Sequence, residues 1–506
     1  MGQKLVNDIL VSLMELSSPR TLSALMKTSR YLYRSGPRYL LEKGVAITHQ
    51  RALLSFIAFM KAEDGARLGH LKKLVFFAFE ISSPVANSFS TFLIHFSESL
   101  ALEALCIHDT EGLLGSGSPP LSDAFAKLRT ITILELSGVG KHGASFLRNM
   151  KSKLENVHLT MIEDSAFDSE SDESDDGTED DDRDDRNAIK LLHGSQDTLT
   201  SPSGDGCELL TEITDPVYAE VYPHVEELVL FGNDCPATIV YTHAFPNVRV
   251  FRFETAEEDL DIMGRDVEAH LSIRELNQMQ QVQLKSPWNS LDSCHANLID
   301  LFLLGLRCHV RALHILGNFM DITSLRCVMT DTTPEYMCLQ GFDVDIFTRS
   351  LVSTMKKPYA QQLRALEIVL MVGGALEPET VDIPHVVETI LAMLRPLKIR
   401  SFGILFCCCL IPEPRPANFA DLPLCPAEQY LADLDLDALA QRVKDATETL
   451  QTVVITMKMH RTRPTTIVTL GADVEYGPNA VESIPLRAAP LYASVPPLYP
   501  EQEAGS

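Results

Sequence analysis

The chain has 506 residues, and its 43 Lys and Arg stand against 69 Asp and Glu, which gives a formal net charge of −26. A surface this acidic repels phosphate backbones and anionic lipids, which argues against proteins that bind nucleic acid or membrane surfaces. The 11 cysteines are an odd number without CxxC spacing, which indicates reduced thiols rather than a disulfide framework. The longest apolar stretch, residues 402–411, is shorter than the roughly 20 residues of a membrane span. We therefore expect a cytoplasmic or nuclear protein with no contact to nucleic acid or membrane.

Residues 1–47 predict a compact helical unit. Apolar residues recur at helical spacing over residues 5–16, and Ser18 followed by Pro19 is typical of the start of a second helix. The pair Gly36-Pro37 predicts a break before a short third helix. Three short helices bury too little surface to be stable alone, so their apolar faces must rest on another part of the chain or on another protein.

From residue 48 onward, strand-like apolar runs alternate with helical segments such as 428–448. The frame L-x-x-L-x-L returns throughout, but apolar residues are common in this chain, so the frame alone decides nothing. The early steps between frames are 31, 26 and 26 residues, close to the roughly 20–29 residues of a leucine-rich repeat. We therefore expect an α/β fold, an irregular leucine-rich-repeat-like solenoid with a parallel sheet, and keep a doubly wound α/β domain as the alternative. The frames begin at residues 71, 102, 128, 154, 225, 248, 279, 298, 310, 363, 399 and 450.

An acidic run divides the predicted repeat domain. Residues 163–186 contain fourteen acidic residues and two arginines, a composition that cannot form a core. We expect a disordered insertion over 163–206, with the repeat domain on both sides at 48–162 and 207–475. The proline-rich stretch 476–506 predicts a disordered tail.

One glycine motif suggests a nucleotide site. Gly138, Gly140 and Gly143 spell GxGxxG after the strand-like ITILEL, and Glu163 follows at a distance typical of the dinucleotide fingerprint. The alternative is a glycine-rich turn between a strand and a short helix of one repeat. We favour the turn, because Lys141-His142 puts bulk inside the loop and the next strand runs into the acidic insertion.

Other constellations that could support catalysis or metal binding are weaker. Cys294-His295 and Cys308-His309 are zinc-ligand types, but the segment between them predicts buried apolar structure rather than a metal-binding loop. The sequence contains no GxSxG elbow. We expect no catalytic residue, no cofactor and no metal ion.

The N-terminal unit resembles a known family. Residues 5–47, LVNDILVSLMELSSPRTLSALMKTSRYLYRSGPRYLLEKGVAI, resemble the F-box, whose helices bind the Skp adaptor of Skp-cullin-F-box ubiquitin ligases. The next segment, RALLSFIAFMKAEDGARLGHLKKL, is similar to F-box proteins of basidiomycete fungi with divergent leucine-rich repeats. The resemblance covers residues 1–76, and Val6 stands where the motif usually has Pro. It implies an adaptor-binding set of Leu5, Val6, Ile9, Leu10, Leu13, Leu22, Leu25 and Leu32.

This resemblance implies a substrate-recognition subunit. The helical unit would bind the Skp adaptor and, through it, the cullin ligase core, while the repeat domain would bind a protein substrate that the sequence does not identify. Two alternatives stay open. The helices could merely cap the solenoid, as every repeat array requires, or the chain could be a ubiquitin-independent repeat scaffold or binding module whose acidic insertion attracts basic partners.

Overall fold

The protein is described from a computed structural model. The chain divides into two compact units, a first unit comprising Met1–Asn233 and a second unit comprising Asp234–Leu486. No helix among the described residues has both the length and the apolar character needed to cross a bilayer. The described residues are 2–117, 120–162, 186–207, 220–232, 236–255, 267–284, 287–317, 322–341, 347–373, 381–409 and 423–471.

The first unit contains a parallel sheet whose strands follow one another in chain order. Each strand pairs in parallel with its neighbours in the sequence. The register carries rows of residues straight across the sheet, and one such row includes Val75, Cys106 and Glu135. The strands are β1 (Val45–Ile47), β2 (Lys73–Phe76), β3 (Ala104–Ile107), β4 (Ile133–Val139), β5 (Asn156–Met161), β6 (Ser201–Asp205) and β7 (Glu227–Phe231).

Helices precede and connect these strands and cover one face of the sheet. The buried ring of Phe76 lies 5.7 Å from the ring of Phe89 and 5.9 Å from that of Phe125, both on helices. Successive strand residues point to opposite faces, so Val75 faces away from these helices. The helices are α1 (Gly2–Leu16), α2 (Pro19–Met26), α3 (Arg30–Glu42), α4 (Gln50–Lys61), α5 (Ser83–Phe96), α6 (Thr110–Leu114), α7 (Leu121–Phe125), α8 (Lys141–Asn149) and α9 (Ala188–Leu191).

The second unit repeats this alternation with longer strands. Strands β8 to β14 pair in parallel in chain order, and β15 closes the series antiparallel to β14. Its elements are α10 (Thr238–Ala244), β8 (Val250–Glu254), α11 (Val267–Gln283), β9 (Ser290–Asn297), α12 (Leu298–Leu304), β10 (His309–Leu316), α13 (Ile322–Thr332), β11 (Tyr336–Gly341), α14 (Arg349–Met355), β12 (Ala365–Gly373), α15 (Ile383–Leu394), β13 (Ser401–Cys409), α16 (Pro426–Asp433), α17 (Leu436–Ala446), β14 (Thr452–Lys458) and β15 (Thr466–Leu470).

The α/β class with a mostly parallel sheet is confirmed. Parallel strands need long crossover connections, and helices supply them here. A doubly wound domain permutes the order of its strands, whereas the strands within each unit keep their sequence order. The arrangement within each unit is therefore solenoid-like, with each repeat contacting mainly the next.

Three of the twelve apolar frames were wrong. The frame that begins at Leu128 is three residues early, because Leu134 pairs with Leu105 and with Val157, so the frame of β4 begins at Ile131. The frame that begins at Leu298 lies in α12, whose N-cap Asn297 accepts a hydrogen bond from Asp300 N at 2.8 Å. The frame that begins at Met279 lies in α11, where Met279 and Val282 are exposed. The usual pattern is reversed in α11, because several of its apolar side chains are exposed and several of its polar side chains are buried. Some of these buried polar side chains form hydrogen bonds with backbone groups at the start of α10 and the end of α12. Asn277, for example, accepts from Thr238 N at 3.1 Å and donates to Leu303 O at 2.8 Å.

The predicted limits of the insertion also need correction. Residues 186–207 are folded, and β6 pairs with both β5 and β7. The charge run ends at Arg186, and Ile189, Leu191 and Leu199 beyond it are buried, so this part does contribute to the core. Residues 163–185 and the predicted tail lie outside the described residues. The helical segment expected over 428–448 consists of two helices, α16 and α17.

Candidate functional site

The three N-terminal helices enclose a small core of their own. Met14 from α1, Leu22 and Met26 from α2, and Leu32 and Leu40 from α3 are buried together. Position 36 admits only glycine at this crossing, because an added Cβ would lie 2.3 Å from Met26 Cγ. The predicted helical unit therefore exists as a packed structure.

Its helix boundaries differ from the prediction at one point. Ser18 caps α2 as expected, accepting a hydrogen bond from Thr21 N at 3.3 Å. Ser29 caps α3 in the same way, accepting from Leu32 N at 3.2 Å. The break between the second and third helices thus lies before Ser29, and Gly36-Pro37 is inside α3. Both residues are buried, so close helix packing holds this segment helical despite its low propensity.

The first helix leaves one apolar stripe uncovered. Ile9 is 54% exposed, Leu13 49% and Leu16 85%. Their spacing of i, i+4 and i+7 places them on one side of α1, next to the side that carries Met14 into the core. The helix therefore presents a row of solvent-exposed aliphatic side chains beside a face that is already packed in the core of the helical unit.

The structure distributes the predicted adaptor-binding residues over two roles. Ile9 and Leu13 are on the exposed stripe, and Leu10 and Leu25 are half-buried against the small core. Leu22 is 0% and Leu32 2% exposed, so we assign them to the core of the unit and not to its contact surface. Leu5 and Val6 belong to α1, but their side chains lie outside the described part.

A buried arginine fastens α3 to the first repeat. Arg67 is 2% exposed, and its guanidinium lies 4.1 Å from the ring of Phe59 on α4 and 4.9 Å from the ring of Tyr33 on α3. Its Nη1 donates to Phe59 O at 3.0 Å. Within the N-terminal unit, Lys43 at the end of α3 donates Nζ to Glu15 O at 2.9 Å and to Ser17 O at 2.7 Å, which links α3 to the end of α1. Sequence analysis did not identify either interaction.

The glycine motif holds a carboxylate of the chain itself. Glu111 on α6 accepts hydrogen bonds from the backbone N–H groups of Gly140 at 2.9 Å, His142 at 2.9 Å and Gly143 at 2.8 Å. A helix N-terminus offers such groups to an anion, and here Glu111 takes the place that a pyrophosphate takes in the dinucleotide fold. A Cβ at position 140 would lie 3.1 Å from the Glu111 side chain. The glycines therefore accommodate a contact between successive repeats.

A second group of titratable residues forms a row across the second unit. His295, His314 and Glu367 occupy matching positions on β9, β10 and β12. The two imidazole rings stack with centroids 4.0 Å apart, and Tyr336 Oη donates to Glu367 Oε2 at 2.7 Å. Burial lowers the pKa of His295 to about 2 and of His314 to about 4, and it raises the pKa of Glu367 to about 7. The imidazoles are therefore uncharged at neutral pH.

The suggested zinc ligands do not converge. Cys294 and His295 are successive residues of β9 and point to opposite faces, and His295 is engaged with His314. Within the described ranges, no group of three or more His, Cys, Asp or Glu side chains could hold a metal ion.

The fold and the exposed stripe define the class of protein only broadly, as a solenoid-like α/β protein with an attached N-terminal helical unit. No family model matches the chain, and no curated protein matches it.

Proposed function

We propose that the protein is a substrate-recognition subunit of a Skp-cullin-F-box ubiquitin ligase. The N-terminal helices bind the Skp adaptor, and the strand and helix repeats bind a protein substrate. The observation that supports this most directly is the stripe of Ile9, Leu13 and Leu16, which stays exposed although the same helix buries Met14 in the core of the helical unit.

The stripe is large enough to contribute substantially to binding. Full burial of an aliphatic side chain is worth about 2 kcal/mol. Scaled by the exposed fractions of Ile9, Leu13 and Leu16, the stripe offers about 4 kcal/mol. A micromolar complex needs about 8 kcal/mol, so these three anchors provide roughly half, and the polar rim and the remaining helices must provide the rest.

The cap alternative predicts a different surface. A helix that closes a solenoid turns its apolar face toward the neighbouring repeat and its polar face to solvent. Here the link to the first repeat runs through Arg67, Tyr33 and Phe59, whereas the aliphatic stripe of α1 remains uncovered. Because the contact with the first repeat does not use the aliphatic stripe, the stripe is better explained as a surface that binds another protein than as the inner face of a cap.

In this function the protein needs no chemistry of its own. By holding a substrate on one surface and the ligase core on another, it raises the effective concentration of the substrate near the ubiquitin-charged enzyme.

Co-purification of the full chain with the Skp adaptor tests the proposal. We expect Ile9→Asp to reduce adaptor capture at least tenfold, because a carboxylate would be desolvated in an apolar groove, while the melting transition stays unchanged. Leu271→Asp, at a position of α11 that is 45% exposed, is the matched control and should capture the adaptor normally. Met14→Asp should instead unfold the helical unit.

A folded wild-type chain that does not capture the adaptor, or an Ile9→Asp variant that captures it as well as wild type, would contradict the proposal. The chain would then be better described as a ubiquitin-independent repeat scaffold. Unfolding of the Ile9→Asp variant would mean that the stripe is an internal contact of the cap.

A further inference from the structure

One row of charged residues runs across the second unit near the amino ends of its strands. Backbone hydrogen bonds place most of its members side by side: Asp292 N donates to Arg249 O at 2.7 Å, and Glu335 N donates to Arg311 O at 3.1 Å. Arg311 lies beside Asp292 in the register of β9 and β10. Arg364 N donates to Glu335 O at 2.7 Å, and Arg400 N donates to Arg364 O at 2.7 Å. Neighbouring members are therefore about 4.8 Å apart, the spacing of paired strands. The row consists of Arg249, Asp292, Arg311, Glu335, Arg364 and Arg400.

The charges in this row alternate until its last step. Asp292 pairs with Arg249 at 2.5 Å and with Arg311 at 3.4 Å, and Glu335 pairs with Arg364 at 3.1 Å. The next residue is a second arginine, Arg400. Like charges at neighbouring strand positions repel each other, so this step lacks the anion that every earlier step contains.

Two further cations precede Arg400 along the chain. The chain enters β13 through Arg395, Lys398 and Arg400, all exposed, with buried Leu397 and Ile399 between them. In the described part of the chain, these three cations form no ion pair. We call Arg364, Arg395, Lys398 and Arg400 the basic edge.

The positive charge of the basic edge contrasts with the acidic character of the rest of the protein. The corresponding row of the first unit contains Glu103, Glu155 and Glu226 before β3, β5 and β7, and the whole chain has a net charge of −26. Nucleic acids and anionic membranes present extended negative surfaces that this net charge repels. A short peptide segment with clustered carboxylates contacts only the basic edge and not the acidic surface around it. One of its carboxylates can supply the negative charge that is missing between Arg364 and Arg400.

We propose that the basic edge binds an Asp- and Glu-rich segment of a partner protein. Arg364 and Arg400 are neighbours in the row, directly before β12 and β13. Arg400 can hold a carboxylate with two parallel hydrogen bonds, and Arg364, which also pairs with Glu335, adds a second positive charge beside it. Lys398 and Arg395, which precede Arg400 along the chain, add further positive charge to the basic edge. Calling that partner a substrate rests on the proposed function, but the binding itself requires no adaptor.

Fluorescence anisotropy of a labelled deca-glutamate peptide with the purified full chain tests the proposal. The key variant is Lys398→Glu/Arg400→Glu. A carboxylate at position 400 continues the alternation beside Arg364, so the fold should be kept or slightly stabilised. The control is Lys127→Glu/Arg129→Glu, which changes the net charge equally at exposed positions of the first unit.

We expect the key variant to lose at least about tenfold in affinity, the control to stay within twofold of wild type, and binding to weaken as salt rises. Equal binding by wild type and key variant, or no binding to wild type, would overturn the proposal. So would a phosphoserine peptide, a DNA strand or an anionic vesicle that binds this edge when deca-glutamate does not. None of these measurements contains the Skp adaptor. A negative result for the acidic peptide can therefore be distinguished from a negative result for adaptor capture.

Discussion

Replacing Glu111 by alanine would empty the anion site inside the first unit. Three backbone N–H groups at the start of α8, those of the N-cap Gly140 and of His142 and Gly143 in the first turn, would lose a charged acceptor at 2.8–2.9 Å. A hydrogen bond to a charged group contributes about 1.5–3 kcal/mol when buried. Glu111 is half-buried and water can reach part of the loop, so we expect a total loss of about 2–4 kcal/mol from the free energy of unfolding. Glu111→Gln keeps one acceptor oxygen and should lose about half as much.

Urea unfolding of wild type, Glu111→Ala and Glu111→Gln measures these losses, with Asp123→Ala as a control that removes an exposed carboxylate from the neighbouring α7. The emptied site should also accept inorganic phosphate. At a phosphate concentration five times the dissociation constant, Glu111→Ala should regain about 1 kcal/mol, while wild type gains nothing. A loss below about 0.5 kcal/mol for Glu111→Ala, or equal phosphate effects on both proteins, would refute the assignment of Glu111 as the internal anion.

Two further perturbations test the attachment of the helices and the buried polar row. Arg67→Met removes the hydrogen bond to Phe59 O and both ring contacts, but it also removes Nε and Nη2, which are buried without a hydrogen-bond partner. We therefore expect about 1 kcal/mol lower stability and faster proteolysis after α3; Lys61→Met, at an exposed position, should change neither. Glu367 has a folded-state pKa of about 7 against an ordinary value of 4.5, so its contribution to stability is present below pH 4.5 and is lost as the pH rises to 7. Glu367→Gln should therefore gain about 2–3 kcal/mol relative to wild type between pH 4.5 and pH 8 in urea unfolding, and a constant difference between the two proteins would contradict this.

The strands were predictable where burial on both faces left short apolar runs, as in β12 and β14. The frame failed at Leu298 because its first two positions are three residues apart, a spacing that a helix shares. Asn297 was the local signal for the helix, since its side chain caps α12. The frame at Met279 failed for a different reason. The polar side of α11 is buried against the ends of other helices, and only the tertiary structure reveals that inversion.

Part of the candidate site could also be predicted. Helical spacing located the apolar stripe on α1, with Ile9 and Leu13 among its members. It could not separate these exposed residues from Leu22 and Leu32, because periodicity identifies an apolar face without identifying what covers it. Arg67 could not have been found, since its partners are rings that meet only after α3 packs on α4.

The pairing of β5 with β6 has a consequence for the chain between them. Asn156 and Ser201 are register partners, and Arg186 Nη2 donates to Ile162 O at 3.1 Å. The two described residues that flank the acidic stretch are therefore in contact with each other. Insertions or deletions between them can leave the positions of β5 and β6 unchanged, so the size and charge of the stretch can change under selection for other properties.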